Sequence, residues 1–344
     1  MGKLLLIYLQ GRPIPWPPRS PDLTPLDFYV WGRAKELVYA IEIQNVEDLR
    51  ERIAVAFQKI QQEMLLSTTT VEIRRRCRAF IANDGGLDCT ILAFLVDKLL
   101  ANDSPIDLIN IAFKKSPSNS YDVPDRITGR QSFEELKNLR PVRKWVFHEV
   151  NVPLEELEKY QKTTIADLVH PRQTILDESL GSALWFAARA KTDSSVSPCR
   201  VLLLGTGADE LFGGYTRHKN AFKRLGWSGL HKELMLDWKR ISFRNLARDN
   251  RVICDHGKQP RMPYLDEDFT EFVLNLKPWQ RCFPAENLGS GLGDKLILRL
   301  VAFKLGLLNV STFPKRALQF GSKIANKKEK GSDLSKNFQC TVLI

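Results

Sequence analysis

Between residues 78 and 204 four short apolar runs alternate with helical stretches, and this alternation most restricts what the chain can become. It calls for a parallel sheet covered by helices on both faces. The runs are Arg78–Ala82, Asp107–Phe113, Trp145–Val150 and Val201–Leu204. Helical spacing occupies Leu87–Leu100, Leu154–Val169 and Thr174–Ala190 between them. Beyond Glu210 the chain reads as helical near Asn220–Leu225, His231–Asp249, Glu267–Leu276 and Lys295–Leu305. The expected fold class is therefore α/β with a helical C-terminal part.

The first 66 residues differ in character. Pro13, Pro15, Pro17, Pro18, Pro21 and Pro25 preclude a regular helix or central strand before about Leu26. A helix is expected from Val46, with Asn45 as its cap, Glu47 and Asp48 in its first turn, and Leu49, Ile53, Ala56, Phe57 and Ile60 on one face. Such a segment is too short to bury a large core of its own. The expected division is 1–66, a Pro-rich and helical piece, and 67–344, the α/β domain.

A hydrophobic content of 43% in 344 residues suits a folded protein. No apolar run approaches the roughly 18 residues that suggest a membrane span, so the expected location is cytoplasmic, with no membrane partner. The six cysteines (Cys77, Cys89, Cys199, Cys254, Cys282, Cys340) stand far apart without a C-x-x-C pair, which argues for reduced thiols rather than zinc or disulfides. The net charge of +11 is uneven: residues 1–66 hold eight basic and eight acidic side chains, whereas 315–336 holds seven basic and two acidic. A basic surface of this kind serves an anion such as ATP or merely solvates the C-terminal face. The balanced N-terminal piece shows no helix-turn-helix, so a nucleic-acid partner is not expected.

Two glycine-bearing acidic turns follow strands. Asp84, Gly85, Gly86, Leu87, Asp88 and Cys89 lie between the first strand and its helix, where open α/β sheets place ligands. Adjacent glycines let backbone N–H groups approach a pyrophosphate, and the helix aims its positive end at the same anion. Asp88 is suited to magnesium, which prefers oxygen ligands shared with substrate phosphates. Read alone, Asp-Gly-Gly is a tight turn with a capping Asp. The second turn, Gly205-Thr206-Gly207-Ala208-Asp209-Glu210 running on to Gly213-Gly214-Tyr215, follows the fourth strand and would reach the same sheet edge. Asp209 is then a second magnesium ligand, and Glu210 a carboxylate that orients or deprotonates a reacting group. A third element, Pro314 to Lys323, offers Lys315 as a fixed cation for a leaving pyrophosphate.

Five pieces, in this order and spacing, resemble the synthetase domain of asparagine synthetase and of asparagine synthetase domain-containing proteins. They are Gly85–Asp88, Val123-Pro124-Asp125-Arg126-Ile127-Thr128-Gly129, Gly205–Tyr215, Arg261-Met262-Pro263-Tyr264-Leu265-Asp266 and Ala317–Ser322. The resemblance covers about three-quarters of the chain. It implies a five-stranded parallel sheet of the adenine-nucleotide alpha-hydrolase type, and a reaction in which ATP adenylates the aspartate side-chain carboxylate before ammonia attacks. It also implies that Ala82, Ile111, Gly205 and Thr206 lie along the nucleotide with Asp84, Gly85, Gly86, Cys89 and Gly207. Asp88 and Asp209 would share magnesium, Glu210 and Lys315 would assist the chemistry, and Arg261 and Asp266 would support the helical region.

The chain departs from the pattern in three places. Asp84 stands where the family loop begins with serine, and a carboxylate there repels phosphate by several kcal/mol at about 4 Å and an effective dielectric near 20. Cys89 replaces a second serine and donates only weakly. Residues 1–2 are Met1-Gly2 and no cysteine precedes Cys77, so no glutaminase is expected and free ammonia would supply the nitrogen. These departures imply an impaired synthetase or, alternatively, a nucleotide-binding relative with little catalysis. In the glutaminase's place, Trp16 to Gly32 resembles the C-terminal end of a mariner-type transposase, with Asp27 matching the third metal-binding carboxylate of that family. The strands for the other two carboxylates are missing, so DNA cleavage is not expected.

Overall fold

The computed structural model describes residues 37–38, 45–63, 79–82, 86–114, 116, 118–284, 288, 292–325 and 330–337. The chain divides into two compact units, 1–73 and 74–344. In the first unit the helix α1 (Val46–Glu63) begins as its sequence requires. The Asn45 side chain accepts from the Asp48 amide at 2.9 Å, and Arg52 pairs with Asp48 one turn away at 2.7 Å. The transposase-like stretch 16–32 lies outside the described residues.

The second unit is built on short parallel strands: β1 (Ala79–Ala82), β2 (Ile106–Phe113), β3 (Trp145–Val152), β4 (Val201–Leu203) and β5 (Gln259–Arg261). Among the described residues they pair in the order β3-β2-β1-β4-β5, all parallel. Central β2 is buried along its whole length. Its side chains alternate: Ile106 and Leu108 join one apolar cluster with Ile91, Phe94, Leu136 and Leu298, whereas Ile109, Ile111 and Phe113 join another with Phe186, Leu202 and Ile253. The period of two thus gives the sheet a core on each face.

Crossovers supply α2 (Leu87–Leu99), α3 (Pro124–Leu139), α4 (Leu154–Tyr160), α5 (Ile175–Arg189), α6 (Ala208–Phe212), α7 (Thr216–Ile241) and α8 (Ala247–Cys254), and after β5 come α9 (Glu267–Asn275), α10 (Leu296–Lys304), α11 (Leu308–Thr312) and α12 (Leu318–Gly321). Helix α7 is broken at Leu225 and Gly226, where the backbone leaves helical angles; the expected segment Asn220–Leu225 runs up to this break, and His231–Asp249 runs from the second half through a π-turn into α8. The expected helix Leu154–Val169 runs through a wider π-turn at Gln161–Ile165. Helix α3 has no counterpart in the apolar pattern, because its buried face is largely polar: Asp125, Arg126, Thr128, Ser132 and Glu135.

The strand order fixes where a ligand belongs. β2 and β3 extend to one side of β1, and β4 and β5 to the other, so the winding reverses between β1 and β4. In open α/β sheets the crevice lies outside the carboxyl ends of the strands at that reversal.

Candidate functional site

Both acidic turns leave the sheet at this crevice. Gly205 follows β4, and a Cβ there would meet Asp88 Cβ at 3.0 Å and Cys89 Sγ at 3.1 Å, so the turn presses directly on the start of α2. Gly207 takes φ 98°, which brings its backbone against Leu265 and begins α6. Tyr264 closes the floor: its hydroxyl donates to the Asp88 carbonyl oxygen at 3.1 Å, and its ring packs against Phe212 and Phe269. The Arg261–Asp266 stretch therefore buttresses the first turn, and Asp266 caps α9 by accepting from the Phe269 amide.

Asp88 and Asp209 meet on one cation, the ammonium of Lys295. Lys295 Nζ binds Asp88 Oδ2 and lies 2.7 Å from Asp209 Oδ1, while Lys315 Nζ lies 2.8 Å from Asp209 Oδ2. The Lys295 side chain is only 2% exposed. A Cβ on Gly214 would overlap Asp209 Oδ1 and stand 2.6 Å from Lys295 Cε, so this glycine makes the pairing possible. Lys295 also begins α10 in a left-handed conformation, φ 52°, with its amide donating to the Phe212 carbonyl.

Charges in the cluster perturb one another. Burial, aided by facing Asp209, pushes the Asp88 carboxyl up against the pull of Lys295. Burial would also raise Asp209, but the ammoniums of Lys295 and Lys315 prevail and hold it well below the usual carboxylate range. Burial works against a charged Lys295, yet Asp209 and Asp88 outweigh it and push this ammonium above its ordinary value; Asp209 does the same for Lys315. Asp209 is therefore held ionised, the form that binds cations, whereas burial biases Asp88 toward its protonated form and leaves it dependent on a nearby cation to ionise.

Lys315 reaches the cluster because the segment around it is docked. Gly321 lies so close to Asp125 that a Cβ would overlap its carboxylate. The Phe113 amide, at the end of β2, donates to the Ser322 carbonyl at 3.0 Å. Asp125 belongs to the Val123–Gly129 motif, which now acquires a structural role. Pro124 starts α3 at a position needing no donor. Arg126 donates to the Asn110 side chain at 2.6 Å, to Glu149 at 2.8 Å, to Asn151 at 3.0 Å and to the Val150 carbonyl at 3.1 Å. Gly129 allows α3 to lie on Asn110. The motif ties α3 to the ends of β2 and β3 and gives the C-terminal segment its seat.

Among the residues expected at the site, Asp88, Asp209, Lys315, Gly205 and Gly207 are brought together. Thr206 is half-buried in the same turn, and Cys89 is buried in the core below it. Ala82 is the last residue of β1. Ile111 is 5% exposed within the apolar cluster, so its side chain serves the core. Glu210 is buried, with Oε1 accepting from the Tyr215 hydroxyl at 2.6 Å. Its burial, with Asp209 adjacent, pushes its carboxyl up. Asp84 and Gly85 lie outside the described residues; Gly86 precedes α2 with extended backbone.

The sequence reading missed Lys295, Tyr215 and Tyr264. A signal for Lys295 did exist: a lysine at a helix N-terminus opposes the helix dipole, so it needs a nearby anion. Tyr215 lies between Glu210 and the cations, with Arg217 over its ring at 3.9 Å and Lys315 at 5.9 Å.

Magnesium, which the turns imply, can be tested against the residues present. Asp88 Oδ1 is buried without a hydrogen-bond partner, and the two carboxylates are close enough to share one cation. The donors are hard oxygens, as magnesium requires, and two carboxylates with substrate phosphates would suffice. Among the described residues no third His, Cys, Asp or Glu joins them. The donor set fits a metal completed by its nucleotide.

Fold and cluster together define an α/β protein whose charged site sits at the reversal point of a parallel sheet. Residues 84–228 and 223–308 match the asparagine synthase family, and the chain belongs to that family. It is 45% identical over 277 residues to an asparagine synthetase domain-containing protein of Drosophila melanogaster, covering 76% of this chain and 48% of that one. Asparagine synthetase domain-containing protein 1 of Homo sapiens is 40% identical over 353 residues, 86% of this chain and 55% of the relative. A putative glutamine-hydrolyzing asparagine synthetase of Methanocaldococcus jannaschii is 25% identical over 251 residues, 73% and 42% of the two chains. The chain thus spans about half the length of these relatives.

Proposed function

We propose that this chain binds ATP with magnesium between the two acidic turns and adenylates a carboxylate, the side chain of aspartate, for amide formation with ammonia. One observation carries the reading: Asp88 and Asp209, from turns after different strands, converge on a single cation with Lys315 beside them. An aspartate oxygen would attack the α-phosphorus of ATP, breaking its bond to pyrophosphate; ammonia would then displace AMP and lose a proton. The metal's contribution, when bound, is to neutralise phosphate charge and orient the triphosphate. Lys315 holds positive charge where the departing pyrophosphate gains negative charge. Gly205 and Gly207 let backbone approach the nucleotide. Glu210 acts through Tyr215, fixing the ring over which Lys315 lies.

The test is ATP–pyrophosphate exchange, expected to require both magnesium and aspartate; no exchange at millimolar ATP removes the proposal. No described helix is long and apolar enough to cross a membrane, so the assay needs no membrane component on that account.

Asp84 favours a second reading, a nucleotide-binding relative with weak catalysis, because its carboxylate stands in the phosphate loop. Replacing Asp84→Ser should tighten ATP-magnesium binding about tenfold or more in calorimetric titration, a change of about 1.4 kcal/mol. Unchanged affinity would show that Asp84 is no obstacle.

A further inference from the structure

We infer that Lys295 is an internal substitute for the divalent cation: its ammonium neutralises Asp88 and Asp209 while the metal is away and gives way on at least one carboxylate when magnesium binds. The inference rests on the proposed magnesium-ATP site and adds a resting state to it.

The placement of Lys295 has unfavourable features that, among the described residues, the two carboxylates offset. Lysine is almost never fully buried unless paired, and here it is 2% exposed. It stands at the N-terminus of α10, the positive end of the helix dipole. Its backbone is left-handed, which a side chain with a Cβ adopts only when its surroundings demand it. Gly214 meanwhile leaves room for Lys295 Cε and Asp209 at once.

Charge counting leads to the same state. Among the described residues that ion-pair here, Asp88 and Asp209 carry two formal negative charges and Lys295 and Lys315 two positive ones, so these four groups balance without a metal. A buried carboxylate pair facing one another without a counter-ion would be costly. Lys295 occupies the position between the carboxylates that a shared metal would need. Two cations cannot both hold that position, so metal and ammonium must compete. Asp88 Oδ1, buried and without a hydrogen-bond partner, is an oxygen that the ammonium leaves unused.

Thermal unfolding of the full chain tests this without nucleotide or aspartate. Wild type and Lys295→Met would be melted in EDTA and over a magnesium chloride series, with potassium chloride matching the ionic strength. The methionine variant should melt several degrees lower in EDTA, and magnesium should raise its midpoint saturably by at least three times the rise in wild type. A variant indifferent to magnesium, or a wild type that gains as much, overturns the inference. Should Lys295→Met fail to fold, the double variant Lys295→Met with Asp88→Asn should fold, because Asp88 loses its ion-pair partner whereas Asp209 keeps Lys315; failure to rescue also overturns it. These melts are independent of exchange activity. Magnesium rescue without exchange removes only the adenylation reading, and exchange without magnesium rescue removes only the cation-substitute role of Lys295.

Discussion

Gly214 shows how closely single residues determine the site. Its missing Cβ is the space in which Asp209 and Lys295 meet, so Gly214→Ala must separate them or strain the turn. The variant should lose about 1–3 kcal/mol of stability, the usual cost of overpacking, and ATP-magnesium affinity should fall with it. Gly226→Ala is the control. Nothing lies within 4 Å of its added Cβ, but its φ of 58° with ψ of −148° is backbone that suits glycine almost alone, so the variant should lose about 1–3 kcal/mol through backbone strain, with affinity unchanged. Denaturant midpoints and calorimetry on both variants check the contrast. At this scale the sequence was most informative about the acidic turns, because two of them follow strands and reach the same sheet edge, although either alone reads as a tight turn. Lys295 carried only the signal of a lysine at a helix N-terminus, since the carboxylates that give it meaning lie far away in the chain.

At the scale of elements, α3 is the instructive case. Hydrophobic periodicity finds helices by their apolar face, and α3 buries Arg126, Ser132 and Glu135 instead. Its stability rests on satisfied polar contacts. Arg126 is fully buried, and its guanidinium gathers Asn110, Glu149, Asn151 and the Val150 carbonyl. Arg126→Met should therefore destabilise the protein by about 1–3 kcal/mol for a buried acceptor left without its donor, as at Asn110, while Glu149 keeps Arg130; urea unfolding measures it. Loss of α3 anchoring should also unseat the segment carrying Lys315. The strands were more legible: β1, β2, β3 and β4 follow the four apolar runs, while three-residue β5, reading Gln-Pro-Arg, carries no strand-like pattern. Its proline is tolerable because only β4 flanks it among the described strands.

For the whole molecule, the alternation of strand and helix was enough to indicate parallel pairing, but strand order, and with it the crevice, required the structure. Global stability should also report on His256, whose ring packs on Trp185 at 4.5 Å between centroids. Burial holds its imidazole down to about 4 from an ordinary value of 6.5; Arg189 and Lys258 push the same way, while Asp255 and the Trp185 backbone oppose them. Between those values the unfolded chain binds the extra proton, so stability falls as pH drops from about 6.5 to about 4. His256→Phe should show a smaller loss of urea midpoint between pH 7 and 4.5 than wild type; an identical loss would exonerate His256. The ion pairing of Asp88 with Lys295 across 207 positions has a temporal meaning as well. During synthesis both acidic turns emerge long before either lysine, so the growing chain carries two mutually repelling carboxylates with no remedy of its own. The crevice is a late arrival in synthesis, completed only when the segments carrying Lys295 and Lys315 have folded back over the earlier strands.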